Sequence, residues 1–129
     1  MPHYEQTATI TAEPDTLFEY LSDIANLPDY LPVIADAHDA GPEIAEVTTD
    51  IHGRQEHARG YLRVDSLERH MEWGIPGGPY HGWLHVQPDE SDMRSIVTIH
   101  VAQAHPSDAD DDLIDALDAI RLRADSGQL

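Results

Sequence analysis

One hydrophobic segment restricts the fold more than any other part of the chain. Residues Leu21–Ile34 read LSDIANLPDYLPVI, an apolar stretch that is interrupted by Pro28 and Pro32. A proline inside a helix removes a hydrogen bond and clashes with the preceding turn, and it disfavours helical geometry in the residue before it, here Leu27. The segment therefore cannot be one continuous helix, and we predict two short helices separated by a kink.

Regular elements are predicted before and within this segment. Tyr4–Thr11 is rich in threonine and alternates loosely, which indicates a strand. Pro14 suits the first turn of a helix. Ser22 or Asp23 is suited to cap the second short helix. The first helix carries its apolar residues at helical spacing, namely Leu17, Phe18, Leu21 and Ile24.

The middle of the chain is predicted to form a sheet. From Val33 to Ala102 strand-like segments follow one another with short links, which favours an antiparallel meander of five or six strands. Their alternation predicts one buried face. The residues on that face are Leu62, Val64, Met71, Trp73, Ile75, Leu84, Val86, Val97, Ile99 and Val101.

The last element is predicted to be a long amphipathic helix, capped by Ser107 or Asp108 and ending at Gly127. Its apolar stripe consists of Ala109, Leu113, Ala116 or Leu117, Ile120 and Ala124. This order of elements makes an α+β fold, in which a curved antiparallel sheet wraps the C-terminal helix. Residues 1–129 are expected to form a single domain.

The opening of the chain resembles a known family. The stretch ITAEPDTLFEYLSDIANLPDYLPVI, Ile10–Ile34, is similar to the opening pattern of the polyketide cyclase/dehydrase branch of the SRPBCC superfamily. That superfamily has the START-like, birch-pollen-allergen-like helix-grip fold. The resemblance implies a cavity between the sheet and the long helix, with its mouth near the short helices. No catalytic residue is carried over, because the matching pattern is structural.

The resemblance and the strand pattern together predict a site for a small hydrophobic or aromatic molecule, lipid-like or polyketide-like, without a cofactor. The expected lining residues are Leu27, Tyr30, Leu31, Leu62, Met71, Trp73, Tyr80, Leu84, Ile99 and Leu117. Two alternatives stay open. One is a cyclase or dehydrase with a histidine or tyrosine as acid/base, and the other is a dimeric interaction module whose cavity is vestigial.

Nine histidines raise the question of a metal site. His81 and His85 are four residues apart, which on a strand is roughly 13 Å and too far for one ion. If the turn before Tyr80 pairs Ile75 with Tyr80, His70 lies opposite His85. Two histidines without a third ligand do not make a recognisable site, so the sequence predicts no metal.

His100 is the one candidate catalytic residue. It stands between Ile99 and Val101, so strict alternation turns its side chain away from the apolar face. A one-residue bulge would turn it inward, where a histidine is suited to acid/base chemistry. By the same alternation Trp73 is expected inside and Trp83 outside.

Two arginines allow opposite interpretations. Arg59 and Arg63 share a strand face with Tyr61, away from Leu62. They are suited either to anchor a ligand carboxylate or to neutralise nearby acidic side chains.

Charge and composition exclude several functions. Seven arginines and no lysine face 25 acidic residues, giving a formal net charge of −18. Such a surface repels phosphate backbones, so nucleic-acid binding is not expected. No apolar run is long enough to insert into a membrane, and cysteine is absent. A cytoplasmic protein is expected, and the acidic bias fits either a GC-rich genome or a salty cytoplasm.

Overall fold

The computed structural model of the chain describes residues 3–31, 34–51, 53–74, 80–91, 93–103 and 109–129. The first part contains β1 (His3–Ile10), α1 (Pro14–Ser22), a 3₁₀ turn (Ile24–Asn26) and α2 (Leu27–Tyr30). Six strands and a helix follow: β2 (Ile34–Gly41), β3 (Ile44–Ile51), β4 (Arg54–Asp65), β5 (His70–Gly74), β6 (Tyr80–Pro88), β7 (Ser95–Gln103) and α3 (Ala109–Asp125). Within the described residues, no helix has the length and apolarity that crossing a membrane requires.

The proline-containing segment forms the predicted pair of short helices, with one correction. The Asp23 side chain caps the 3₁₀ turn by accepting a hydrogen bond from the Ala25 backbone N–H at 3.0 Å. Leu27, however, is helical (φ −55°, ψ −41°) and begins α2, so Pro28 does not break the helix there. A proline in the first helical turn is tolerated because its missing N–H would have no partner in the helix. Pro32 lies outside the described residues.

All seven strands form one antiparallel sheet, in the order β1-β7-β6-β5-β4-β3-β2. The long strand β4 joins the two halves of this sheet. Its residues 54–61 pair with β3, whereas residues 61–65 pair with β5. The ladder therefore changes partner at Tyr61. The predicted α+β helix-grip architecture is confirmed, with six strands after the short helices.

The buried face of the sheet agrees with the predicted alternation, except at one end of β4. Met71, Trp73, Leu84, Val86, Val97, Ile99 and Val101 are buried in the core. Val64 was predicted to join them but is 44% exposed. Its part of β4 has no partner on the β3 side, because the β3 ladder ends at Tyr61. Leu62 is half-buried, and Ile75 lies outside the described residues.

Helix α3 covers the end of the sheet formed by β1 and β7 and also contacts α2. Its buried residues are Leu113, Ala116, Leu117 and Ile120, and Ala124 is partly buried. The helix ends where predicted, because Gly127 adopts φ +70° and Gln128 donates back to the Arg123 carbonyl at 2.9 Å. The Ala109 side chain and both predicted caps, Ser107 and Asp108, lie outside the described residues.

Candidate functional site

An apolar slot lies inside the bend of the sheet, behind α2. Its volume is about 40 Å³. Its walls come from α2, from the start of β2 and from β3, β4 and β5. The lining residues are Leu27, Ile34, Ala45, Val47, Thr49, Gly60, Tyr61, Leu62, Trp73 and Gly74. No acidic, basic or histidine residue is among these described lining residues, so the slot suits an uncharged, apolar group.

A wider groove adjoins the slot at the protein surface. It has a volume of about 480 Å³ and lies between the end of α1 and the β2–β3 hairpin. Its lining residues are Ser22, Ile24, Asp39, Gly41, Pro42, Glu43, Ile44 and Leu62. Leu62 lines both the slot and the groove. The half-buried Leu62 side chain therefore stands between the open groove and the interior.

The structure places only part of the predicted lining at this slot. Leu27, Leu62 and Trp73 line it. The others with a described side chain belong to the packed core, each at most 4% exposed: Tyr30, Leu31, Met71, Leu84, Ile99 and Leu117. The Tyr80 side chain lies outside the described residues. Among the described residues none of α3 lines the slot, so the space lies between the sheet and α2 instead of between the sheet and α3.

Sequence reasoning missed the contribution of β3. Ala45, Val47 and Thr49 alternate along this strand and face the slot, but only Val47 is strongly hydrophobic, because alanine is small and threonine is polar, so the hydrophobic signal was weak. Gly60 was missed because a glycine carries no pattern of its own. Its importance depends on a close approach to another strand, which only the folded chain shows.

Trp73 forms the deep wall of the slot and is only 4% exposed. Its indole lies over Gly82 on the neighbouring strand. A Cβ atom added at Gly82 would lie 2.8 Å from the Trp73 ring. The predicted inward orientation of Trp73 is therefore matched by a glycine that leaves room for the ring.

Two tyrosine hydroxyls hold the short helices in place. The buried Tyr30 hydroxyl donates to the Leu21 carbonyl at 2.6 Å. The Tyr20 hydroxyl donates to Asp29 at 2.8 Å, and Asp29 also pairs with Arg123 of α3 at 3.6 Å. Desolvation, and then the hydrogen bond to Asp29, raise the pKa of Tyr20 to about 12. These two hydrogen bonds therefore hold α1 and α2 together beside the slot.

The arginine pair neutralises acidic neighbours. Arg59 pairs with Glu46 at 2.9 Å, and Arg63 pairs with Glu43 at 3.3 Å. The hydrogen bond from Arg59, followed by that from His38, lowers the pKa of Glu46. Of the two predicted roles, the structure supports charge neutralisation and not the anchoring of a ligand carboxylate in the slot.

His100 lies on the outer face of the sheet, opposite the slot. The register of β7 is continuous with both of its neighbours, so the bulge that would turn His100 inward is absent from this strand. Its ring stacks on Trp83, with centroids 5.2 Å apart and an interplanar angle of 4°. The inward orientation considered for an acid/base role is therefore wrong, whereas the outward orientation of Trp83 is confirmed.

The predicted pairing of His70 with His85 is confirmed by the β5–β6 register. Burial, and then the nearby charges of His70 and Arg69, lower the pKa of His85 below its usual value of 6.5. The unfolded chain therefore binds a proton at this position at a higher pH than the folded chain does. The stability that depends on neutral His85 is complete above pH 6.5, and it is lost as the pH falls from 6.5 through the lowered pKa of His85 in the folded chain.

Replacing His85 by glutamine is expected to flatten the decline of stability with acidification. Urea unfolding at pH 8 and at pH 5.5 measures the effect. The wild-type free energy of unfolding should fall more between these pH values than that of His85→Gln, because glutamine does not titrate. Comparing changes with pH, and not absolute values, cancels the packing cost of the substitution. Equal declines in both proteins would contradict the assigned direction.

The arrangement of sheet, helices and slot defines a class of protein. A curved antiparallel sheet that grips a C-terminal helix, with an apolar slot behind two short helices, is the helix-grip α+β architecture. The family model described as "Polyketide cyclase / dehydrase and lipid transport" matches residues 1–124. The chain belongs to this family, within the START-like SRPBCC superfamily. No curated protein matches the chain significantly.

Solved structures share the fold at low sequence identity. A Deinococcus radiodurans protein superposes with a TM-score of 0.81 at 14% identity, over 98% of this chain and 99% of that one. A START superfamily protein from Mycobacterium smegmatis gives 0.80 at 12% identity, over 96% and 97%. The di-domain ARO/CYC StfQ of the steffimycin biosynthetic pathway gives 0.79 at 19% identity, over 97% of this chain and 45% of StfQ. At such identities the likeness establishes the fold.

Proposed function

We propose that the protein binds a small, flat, apolar molecule that inserts past Leu62 into the slot and leaves its polar end in the groove. The observation that carries the proposal is the shared wall: Leu62 lines both the apolar slot and the larger groove outside it. The family description, which joins polyketide cyclases with lipid transport, supports a ligand of this kind.

The volume of the slot means that Leu62 must move when a ligand enters. About 40 Å³ holds only a few atoms, whereas ligand pockets have volumes of about 300 Å³ or more. The adjoining groove supplies the remaining space. A ligand that buries about 200 Å² of apolar surface gains about 5 kcal/mol before ordering costs are subtracted.

The charges around the groove favour a ligand that is neutral or cationic at its polar end. Asp39 and Glu43 line the groove, and the whole chain carries a formal net charge of −18. Arg63, the cation bound to Glu43, is already paired. A fatty acid would bring its carboxylate towards these acidic groups, so a neutral quinone or polyphenol fits better.

Carrier function is favoured over a cyclase or dehydrase by the lining of the slot. Acid/base catalysis needs a titratable group within hydrogen-bonding reach of the reacting atoms. The titratable group among the described lining residues is the hydroxyl of Tyr61, and no carboxylate or imidazole lies among them to act as its partner. The small slot volume is instead the observation that favours the second candidate, an interaction module with a vestigial cavity.

A matched pair of substitutions tests the proposal. Leu62→Trp fills the entrance, whereas Val64→Trp puts the same side chain two residues further along β4, at an exposed position. Isothermal titration with a neutral anthraquinone should give one site in the wild type and in Val64→Trp. The affinity of Leu62→Trp should be at least tenfold lower. Thermal melts establish that both variants are folded.

Further measurements on the wild-type protein separate the carrier from the interaction module. Native mass spectrometry of the freshly purified protein should show a bound small molecule if the protein is a carrier. If the wild type binds nothing from a panel of quinones, polyphenols and fatty acids, the ligand proposal is wrong. A dimer in sedimentation under those conditions would support the interaction module.

A further inference from the structure

The outer face of the sheet carries a group of histidines that the chain order does not bring together. The β1–β7 and β6–β7 registers align His3 and His81 on either side of Ala102. The next aligned row contains Glu5, His100 and Trp83. We call His3, His81 and His100 the outer histidine cluster. It lies on the face opposite the slot, so it is independent of the proposed ligand site.

Two imidazole nitrogens of this cluster are close enough to each other to bind the same metal ion. His3 Nδ1 and His100 Nε2 are 3.0 Å apart, and the two ring centroids are separated by 5.2 Å. Two imidazole nitrogens on one tetrahedral ion lie about 3.3 Å apart, because each metal–nitrogen bond is about 2.0–2.1 Å long. Binding of one ion between these nitrogens therefore requires the two rings to tilt, but it does not require the strands to move.

The His100 ring is held in an orientation that suits a ligand. Its Nδ1 lies 3.3 Å from Glu5 Oε1, so an Nδ1–H that donates to this carboxylate leaves the Nε2 lone pair directed at His3. Its flat side is stacked on Trp83, and its side chain is only 19% exposed. A carboxylate behind a histidine fixes the tautomer and increases the basicity of the coordinating nitrogen.

We propose that His3 and His100 form a surface site for a divalent transition-metal ion that prefers nitrogen ligands, such as Cu²⁺, Ni²⁺ or Zn²⁺. Glu5 acts as the outer partner of His100. Among the described residues no three such side chains already converge on one point. Water, or a turn of the His81 ring, whose centroid is 6.4 Å from that of His3, completes the coordination. Imidazole ligands make Mg²⁺ and Ca²⁺ poor occupants.

Other close histidines of the described chain are less suited to an ion. His70 and His85 have ring centroids 5.7 Å apart, but the neighbouring Arg69 places a positive charge beside His85. His38 contacts Glu46, whose other oxygen is paired with Arg59. Carboxylates are present at these places too, Glu72 at His70 and Glu46 at His38, but each place has an arginine that would repel a metal ion. The charged neighbour of the pair His3 and His100 is the carboxylate of Glu5.

Copper titration of the full chain tests the proposal. Trp83 reports an ion on the outer face, because its ring stacks on His100 and also lies 5.6 Å from the ring of His70. We expect one tight Cu²⁺ per chain, with quenching of fluorescence that persists in Trp73→Phe and is lost in Trp83→Phe. The affinity should fall at least tenfold in His3→Gln and in His100→Gln, and stay within twofold in the controls His38→Gln and His70→Gln, of which His70 also contacts Trp83. Affinities equal to the wild type in both cluster variants would overturn the proposal.

A second measurement on the unmodified protein does not depend on how the variants fold. The electron paramagnetic resonance spectrum of the 1:1 Cu²⁺ complex should show coupling to at least two imidazole nitrogens. Substoichiometric Ni²⁺ should broaden the NMR signals of the His3 and His100 rings before those of His38 and His57. Broadening that begins at any other histidine would place the tight site elsewhere and refute the assignment.

Discussion

Replacing Gly60 by alanine is expected to lower the free energy of unfolding by about 3 kcal/mol or more. A Cβ atom at this position would lie 2.5 Å from the carbonyl oxygen of Gly74 on the neighbouring strand. The obstacle is backbone, which cannot rotate away as a side chain does. Relieving the clash requires β4 and β5 to separate next to the point where the β4 ladder changes partner. Urea unfolding followed by circular dichroism measures the loss.

Gly53→Ala is the matched control for this prediction. Gly53 has φ +81°, but an added Cβ there would meet nothing within 4 Å. The same substitution should then cost only the left-handed backbone penalty, about 1 kcal/mol. If Gly60→Ala were no more destabilising than Gly53→Ala, the close approach of the two strands at the bend would be wrong.

Trp73→Ala is expected to cost about 3–5 kcal/mol, because it removes a large buried side chain and leaves a cavity behind. Trp73 is 4% exposed, pairs with Leu62 of β4 and packs over Gly82 of β6. The cavity would extend the slot inward. Any folded fraction of the variant should therefore bind a longer aromatic ligand than the wild type does, which a titration at low temperature measures.

Trp83→Ala is the natural comparison, since the two tryptophans lie on opposite faces of the sheet. Trp83 is partly exposed and stacks on His100, so its removal should cost about 1 kcal/mol. It should leave the affinity of the slot for its ligand unchanged. Similar losses of stability in the two variants would show that Trp73 is not the buried wall that the structure describes.

Much of the fold was predictable because the local conformational preferences and the hydrophobic pattern of the residues agree with the structure of the whole chain. Pro28 lies in the first turn of α2, so one long helix does not form, and the alternation from Met71 to Val101 separates an inner face from an outer one. The error at Val64 has a tertiary cause, since alternation tells which face a residue points to but not whether another element covers that face. The helical start at Leu27 was missed because a proline ends or begins a helix depending on its position in the turn.

The sequence by itself determined the order of the elements, the two faces of the sheet and the acidic surface, because these depend on residue type and spacing along the chain. Only the tertiary structure decided where the slot lies, since the described apolar side chains of α3 pack into the core and the slot is lined by α2 and the strands instead. It also decided which histidines meet. His3 and His100 are 97 residues apart and become neighbours only when β1 pairs with β7.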